Sequence, residues 1–224
     1  MNNKGLIKAD WSMLTKVNAV VATKQSDVNA VLQQKNVQWL QQVHGTKVFK
    51  LESVVENKKP EADAIYTQVP NIVCGIQTAD CLPVFFSDQH GSEIALAHAG
   101  WRGLAAGVLE NTLDNFKAEL DQIVVWFGPA IGSCHFEVGE EVRDLYLQQA
   151  NSSSKISTAS AFITGVKPGK WMADLYKLGQ IRLNEAGVFK ISGGGLCTYC
   201  DYQNFYSYRR DKETGRLSSL IWLN

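Results

Sequence analysis

Three short segments combine a metal-ligating residue with small or turn-forming neighbours: Gln41-Gln42-Val43-His44-Gly45, Thr78-Ala79-Asp80-Cys81-Leu82-Pro83 and Ala97-His98-Ala99-Gly100-Trp101-Arg102-Gly103. Each ligand stands at the end of an apolar run, where a strand fixes position and a loop exposes the side chain. His44, Cys81 and His98 together make a set of two imidazoles and one thiol. Their separations are far longer than the C-x2–4-C spacing of structural zinc fingers, and three protein ligands suit a zinc that keeps a fourth position for water or substrate. One thiolate and two neutral imidazoles leave such an ion with a net positive charge, enough to polarise a bound water or hold an anionic oxygen. Without metal, Cys81 and His98 would serve as nucleophile and base of a cysteine hydrolase. On spacing alone, a half-buried cysteine and two ordinary histidines are the plainer alternative.

Other reactive residues carry weaker signals. Cys197-Thr198-Tyr199-Cys200 is a C-x-x-C pair, but no second C-x-x-C completes a four-cysteine set, so it reads as structural or incidental. Cys134-His135 follows the turn-forming Gly128-Pro129-Ala130-Ile131-Gly132 and reads as pocket lining or packing. Cys74 lies in an apolar run and reads as core, while His90 in a polar loop reads as solvated. Among the cations, Arg102 sits at an expected helix start, and Arg209-Arg210 follow the aromatic run Phe205-Tyr206-Ser207-Tyr208. A guanidinium in either place suits bidentate phosphate recognition, with surface salt bridging as the bland alternative. Tyr206 and Tyr208 offer plates on which a base could stack, although most such rings serve packing.

These side chains need elements to hold them. Val20–Thr23, Val37–Val43, Lys47–Leu51, Ile72–Gln77, Leu82–Phe86, Ile94–His98, Ile123–Phe127 and Leu217–Leu223 read as strands, with a bend or bulge at His44-Gly45. Several are almost continuously apolar, the pattern of strands buried on both faces. Leu104–Leu120, Val138–Leu147 and Met172–Ala186 read as helices, the last closed by Gly187. Asn151–Lys155 reads as a loop within one domain. The mixed order gives a class of α/β to α+β, a single domain over 1–224 with mixed β-sheets flanked by helices.

Composition narrows the function. Lys and Arg number 22 and Asp and Glu 22 in 224 residues, so the excess of positive charge that nucleic acid demands is missing. No apolar run reaches membrane-spanning length, and Met1–Gly5 leads into no signal-peptide core, so a cytoplasmic protein is expected. Five cysteines are too few for a disulfide scaffold. Four histidines are too few for the polynuclear copper cluster of a true multicopper oxidase. Oligomeric state is not written in these features.

Taken together, the motifs resemble a known family. Gln42-Val43-His44-Gly45, Thr78–Val84, His98–Leu104, Gly128–Gly132, Phe136-Glu137-Val138-Gly139, Cys197-Thr198, Phe205–Asp211 and Thr214-Gly215-Arg216 occur in the order of the YfiH family, also called the laccase-domain or multicopper polyphenol oxidase family. The resemblance runs from about Trp39 onward. It implies a mixed-sheet domain with zinc held by His44, Cys81 and His98, with copper as a possible occupant. It further implies a purine nucleoside phosphorylase cleaving adenosine, inosine and methylthioadenosine with phosphate, with adenosine deaminase activity. An older description implies copper-dependent phenol oxidation. In that setting Asp80, beside Cys81, is a candidate proton shuttle, and Arg102, Arg209 and Arg210 are candidates to orient phosphate. The chain departs from the family pattern at Ala22–Ser26, where Lys24 replaces the usual Arg and a loop is largely absent. Lys24 is therefore the expected phosphate-binding counterpart, in a more open site. His135 stands where many members have an aromatic residue and is a further potential ligand near the metal.

Overall fold

The computed structural model describes residues 5–11, 13–32, 36–54 and 58–224. The strands begin with β1 (Leu6–Lys8), β2 (Val17–Ala22), β3 (Val37–Trp39), β4 (Val48–Lys50), β5 (Ala64–Thr67), β6 (Val73–Thr78) and β7 (Leu82–Asp88). They continue with β8 (Ile94–Ala99), β9 (Ile123–Phe127), β10 (Glu137–Gly139), β11 (Phe162–Thr164), β12 (Lys170–Ala173), β13 (Lys190–Gly193) and β14 (Leu217–Leu223). The helices are α1 (Val28–Leu32), α2 (Trp101–Ala106), α3 (Val108–Leu113), α4 (Glu140–Gln149), α5 (Lys155–Ala159), α6 (Leu175–Glu185) and α7 (Tyr208–Asp211).

One sheet has the order β1-β2-β14-β6-β3 and a larger one β13-β9-β7-β8-β5-β4; β10-β12-β11 form a small third sheet. Parallel pairs (β3 with β6, β4 with β5, β13 with β9) sit among antiparallel ones, so the sheets are mixed and the class is α+β. Val21, Ile76, Leu217 and Ile221 from the first sheet meet Ile65, Phe85, Leu96 and Trp126 from the second in one apolar layer. On its other face the larger sheet presents Leu82, Val84, Phe86, Val125 and Phe127 toward Leu104, Val108, Leu109 and Leu178 of the helices. Strand β7 is therefore buried along its whole length, which explains its unbroken apolarity. The alternation also gives β8 small residues, Ala95, Ala97 and Ala99, on the helix face, so α2 and α3 pack closely against it. Phe85, fully buried between the sheets, would cost about 3–5 kcal/mol if cut back to alanine.

Three expectations need correction. The expected helix Leu104–Leu120 is instead two short helices that start at Trp101 and stop at Leu113, because Gly107 adopts φ 99° and ends α2 in a left-handed cap before α3 begins, and Leu120 lies in a separate 3-10 turn. Val138 belongs to β10 and Met172 to β12, which pair in the small sheet, so the helices there begin later, at Glu140 and Leu175. The expected strand pieces on either side of His44-Gly45 lie in different sheets, β3 in the first and β4 in the second. His44 marks a crossing from one sheet to the other. The segment Thr78–Leu82, carrying Cys81, is a second such crossing.

Candidate metal centre

His44, Cys81 and His98 converge at the end of the sandwich where these crossings occur. Their ligand atoms all lie within 4.8 Å of one another. Cys81 Sγ is 3.8 Å from His44 Nε2, and the two imidazoles meet edge to face at 4.8 Å between centroids. His98, the penultimate residue of β8, is buried; Cys81 is half-buried and His44 exposed, so the set opens on one side. Two of the three approaches require unusual backbone: His44 has φ 60° and Asp80, just before Cys81, has φ 90°. Both lie in the region that side chains avoid, a strain that concentrates at functional sites. Gly100 explains the glycine after His98-Ala99, since a Cβ there would fall 2.9 Å from His44 Cδ2 and 3.0 Å from Cys81 Sγ.

Asp63, which sequence reasoning passed over, organises the group. It is fully buried just before β5 and accepts from His98 Nδ1 at 2.8 Å. Its two oxygens also accept the backbone N–H groups of Val43 (3.2 Å), His44 (2.9 Å) and Gly45 (2.7 Å). One carboxylate thus fixes the tautomer of one ligand and the backbone of another, the support that metal-bound imidazoles need. Burial opposes its charge, but His98 and the amides outweigh that and hold its carboxyl below the usual carboxylate range. Burial likewise opposes a Cys81 thiolate, yet His44 and His98 overcome it and bring the thiol down to about 6. For His98, burial pulls downward while Asp63 and Cys81 raise it to about 9. A nucleophilic or metal-ligating sulfur is what this environment favours.

The other candidates fall in different places. Asp80 is fully engaged elsewhere: Oδ1 accepts from Thr198 Oγ1 and Oδ2 from the Arg209 N–H, both at 2.6 Å. Arg209 donates to the carbonyls of Glu137 (2.8 Å) and His135 (3.4 Å). Arg210 donates to the carbonyls of Thr198, Tyr199 and Phe205 and pairs with Asp211. Lys24 donates to the Tyr202 carbonyl at 3.0 Å and lies over the Tyr206 ring. Arg102 alone of these cations makes no hydrogen bond or ion pair among the described residues. It is exposed on α2, stacked 4.3 Å over the Trp101 ring and two residues from Gly100. Helix α2 has only six residues, so the anion-binding helix start adds little to Arg102.

His135 does not join this centre. With Cys134, Cys197 and Cys200 it forms a second convergent group, again with all ligand atoms within 4.8 Å. Burial and the neighbouring sulfurs of Cys200 and Cys197 push the Cys134 thiol up to about 12. The residues come from two stretches some sixty positions apart, so neither stretch announces the group alone. Cys74 is core and His90 is exposed, as expected. A cavity of about 370 Å³ bounded by Phe127, Tyr176, Lys177 and Gly193–Gly195 is lined by none of these ligands. No helix among the described residues is long and apolar enough to cross a membrane.

Comparison with known proteins places these features in context. A family profile described as multi-copper polyphenol oxidoreductase laccase matches residues 14–224. A protein of Pseudomonas aeruginosa named a purine nucleoside phosphorylase is 48% identical over 185 residues, covering 83% of this chain and 73% of its own. An Escherichia coli K12 protein named purine nucleoside phosphorylase YfiH is 49% identical over the same length and shares. Among solved structures, a Neisseria meningitidis protein of the DUF152 family superposes with a TM-score of 0.90 at 35% identity, covering 99% of this chain and 100% of that one. A Bacillus licheniformis YfiH protein gives a TM-score of 0.86 at 26% identity, covering 96% and 94%.

Proposed function

The chain belongs to the multi-copper polyphenol oxidoreductase laccase family, and from that premise we propose that it is a metal-dependent purine nucleoside phosphorylase. The reaction joins phosphate to the anomeric carbon of the nucleoside as the glycosidic bond breaks, releasing free base and ribose 1-phosphate, or methylthioribose 1-phosphate from methylthioadenosine. Adenosine, inosine and methylthioadenosine are the proposed substrates, with adenosine deamination as a companion activity of the same centre. The observation that carries the reading is the open group of two imidazoles and one thiol, with His98 and the His44 backbone anchored on Asp63.

The donor set fits zinc: one sulfur and two imidazole nitrogens converge, and the Asp63 bond leaves His98 Nε2 free for the shared point. Copper also suits two imidazoles and a thiolate. When bound, zinc supplies Lewis acidity that polarises an oxygen of substrate or water. The chain's residues do the rest. Asp63 retains the proton at His98 Nδ1 and keeps the imidazole oriented. Gly100 leaves the approach to Cys81 clear. Arg102 orients phosphate through its free guanidinium, a bidentate match. Asp80 has both oxygens occupied, so its proposed part is to hold the Cys81 turn rather than to carry protons.

The deciding assay is inosine turnover with and without phosphate, with ribose 1-phosphate as the measured product. Phosphate-independent release of base would reject phosphorolysis. The Asp63–His98 pair, together with a Cys81 thiol brought down to about 6, favours one second reading, a cysteine hydrolase with Cys81 as nucleophile and His98 as base. Chelation separates the two: activity surviving complete metal removal belongs to the thiolate. Copper-dependent phenol oxidation is a weaker reading, because His135 and the exposed His90 stand outside the centre and leave it mononuclear.

A further inference from the structure

We propose that Cys134, His135, Cys197 and Cys200 hold a zinc ion of their own, in a closed structural site that shares no ligand with the His44–Cys81–His98 centre. The inference is independent of the nucleoside reading. Cys134 Sγ lies 3.6 Å from Cys197 Sγ and 3.4 Å from Cys200 Sγ, and Cys200 Sγ lies 3.3 Å from His135 Nδ1. A tetrahedral zinc, with Zn–S near 2.3 Å and Zn–N near 2.0 Å, sets its ligand atoms roughly 3.5–3.8 Å apart. The four side chains therefore already span one coordination sphere. A disulfide explains the group less well, because it would use two of three sulfurs and leave a thiol and an imidazole without purpose.

The surroundings are those of thiolate ligands. The Gly132 N–H donates to Cys197 Sγ at 3.2 Å, and the Asp201 N–H donates to the Cys197 carbonyl, closing a turn around the C-x-x-C pair. Tyr199 stacks on the His135 ring at 3.9 Å and fixes its plane. Three thiolates and a neutral imidazole around zinc carry a net negative charge. Two cations meet it: Arg209 donates to the His135 carbonyl, and Arg210 to those of Thr198 and Tyr199 inside the turn. Four protein ligands leave no position open, so the site's work is structural.

What the ion would fasten can also be read. It ties the loop after β9 to the segment leading into α7, two stretches otherwise joined by the Ala130–Cys197 bridge and the arginine bonds. That segment carries Thr198 and Arg209, whose bonds to Asp80 hold the turn presenting Cys81. A closed site thus braces an open one.

The test is metal content of the full-length protein, purified under reducing conditions with zinc supplied. Wild type should carry two equivalents, Cys81→Ser one and Cys81→Ser/Cys200→Ser none. X-ray absorption on zinc-loaded Cys81→Ser should show about three sulfurs and one nitrogen. Cobalt-loaded Cys81→Ser should keep most of the wild-type thiolate-to-cobalt charge-transfer intensity. Cys200→His, which preserves a ligand, should retain the ion where Cys200→Ser loses it, separating coordination from folding. A folded Cys81→Ser protein that binds no metal overturns the proposal. So does a stable disulfide among Cys134, Cys197 and Cys200 in the reduced preparation.

Discussion

The two ligand groups are built from opposite parts of the fold. His44, Cys81 and His98 come from two sheet-to-sheet crossings and a strand end, and a buried carboxylate, Asp63, positions the two histidines from behind. Cys134, His135, Cys197 and Cys200 come from loops outside the main sheets, and backbone amides and arginines support them. The first has three ligands and an exposed side; the second has four, enough to close a tetrahedron. The difference teaches how a fold separates reactivity from bracing. On the two proposals above, rigid strands and strained turns would hold the ligands that leave room for substrate, whereas loops would suffice where coordination itself supplies the rigidity.

Mutation can break this contrast. Cys81→Ser should lower kcat/KM for inosine by several kcal/mol, on the order of 10³-fold. Its thermal midpoint should stay within a few degrees of wild type, as steady-state kinetics and calorimetry would show together. Cys200→Ser should behave the other way. If its group braces the fold, about 3 kcal/mol of stability goes, or roughly 6–12 °C in a chain this long, while kcat/KM of the folded protein stays within tenfold. A Cys200→Ser protein as stable as wild type would erase the distinction.

Asp63→Asn sharpens it. Loss of the carboxylate charge behind His98 should weaken metal binding by about 10–100-fold, measured by competition with a chromophoric chelator. Metal content at the cysteine-rich group should not change. The smallest effect concerns the arginines. Arg102→Ala should raise the phosphate KM about tenfold at unchanged stability, the worth of one charge-assisted hydrogen bond. Arg210→Ala should instead lower the thermal midpoint, since that guanidinium is spent on three carbonyls and Asp211. Identical phosphate KM values for Arg102→Ala and wild type would remove Arg102 from the site.

Much of the architecture was legible because burial on both faces leaves a plain mark: β7, β8 and β9 are largely apolar runs in the sequence and strands in the fold. The three residues that converge in the open group, His44, Cys81 and His98, were legible too, each close to a glycine or a turn. Asp63 was not. It looks like an ordinary acid between two alanines, and its partners, His98 and the amides of residues 43–45, reach it only through tertiary structure. The cysteine-rich group was hidden for a similar reason, since a C-x-x-C pair looked incomplete while its remaining ligands lay in another loop. Arg209 and Arg210 looked available because carbonyl acceptors leave no trace in residue types. Helix boundaries failed where apolar periodicity ran through Gly107 and through the short strands β10 and β12.

Strand β14 lies between β2 and β6, pairing with both along most of its length. Yet it leaves the ribosome nearly two hundred residues after β2 and well over a hundred after β6. During synthesis, therefore, the first sheet waits with two unmatched edges until its middle strand arrives, and closure of the sandwich is delayed to that moment. His44, Cys81 and His98 are all translated long before. The nascent chain consequently carries all three donor residues through a period when the sheet behind them is unfinished, so for the metal-dependent enzyme proposed above the timing of metal delivery would be part of the folding problem.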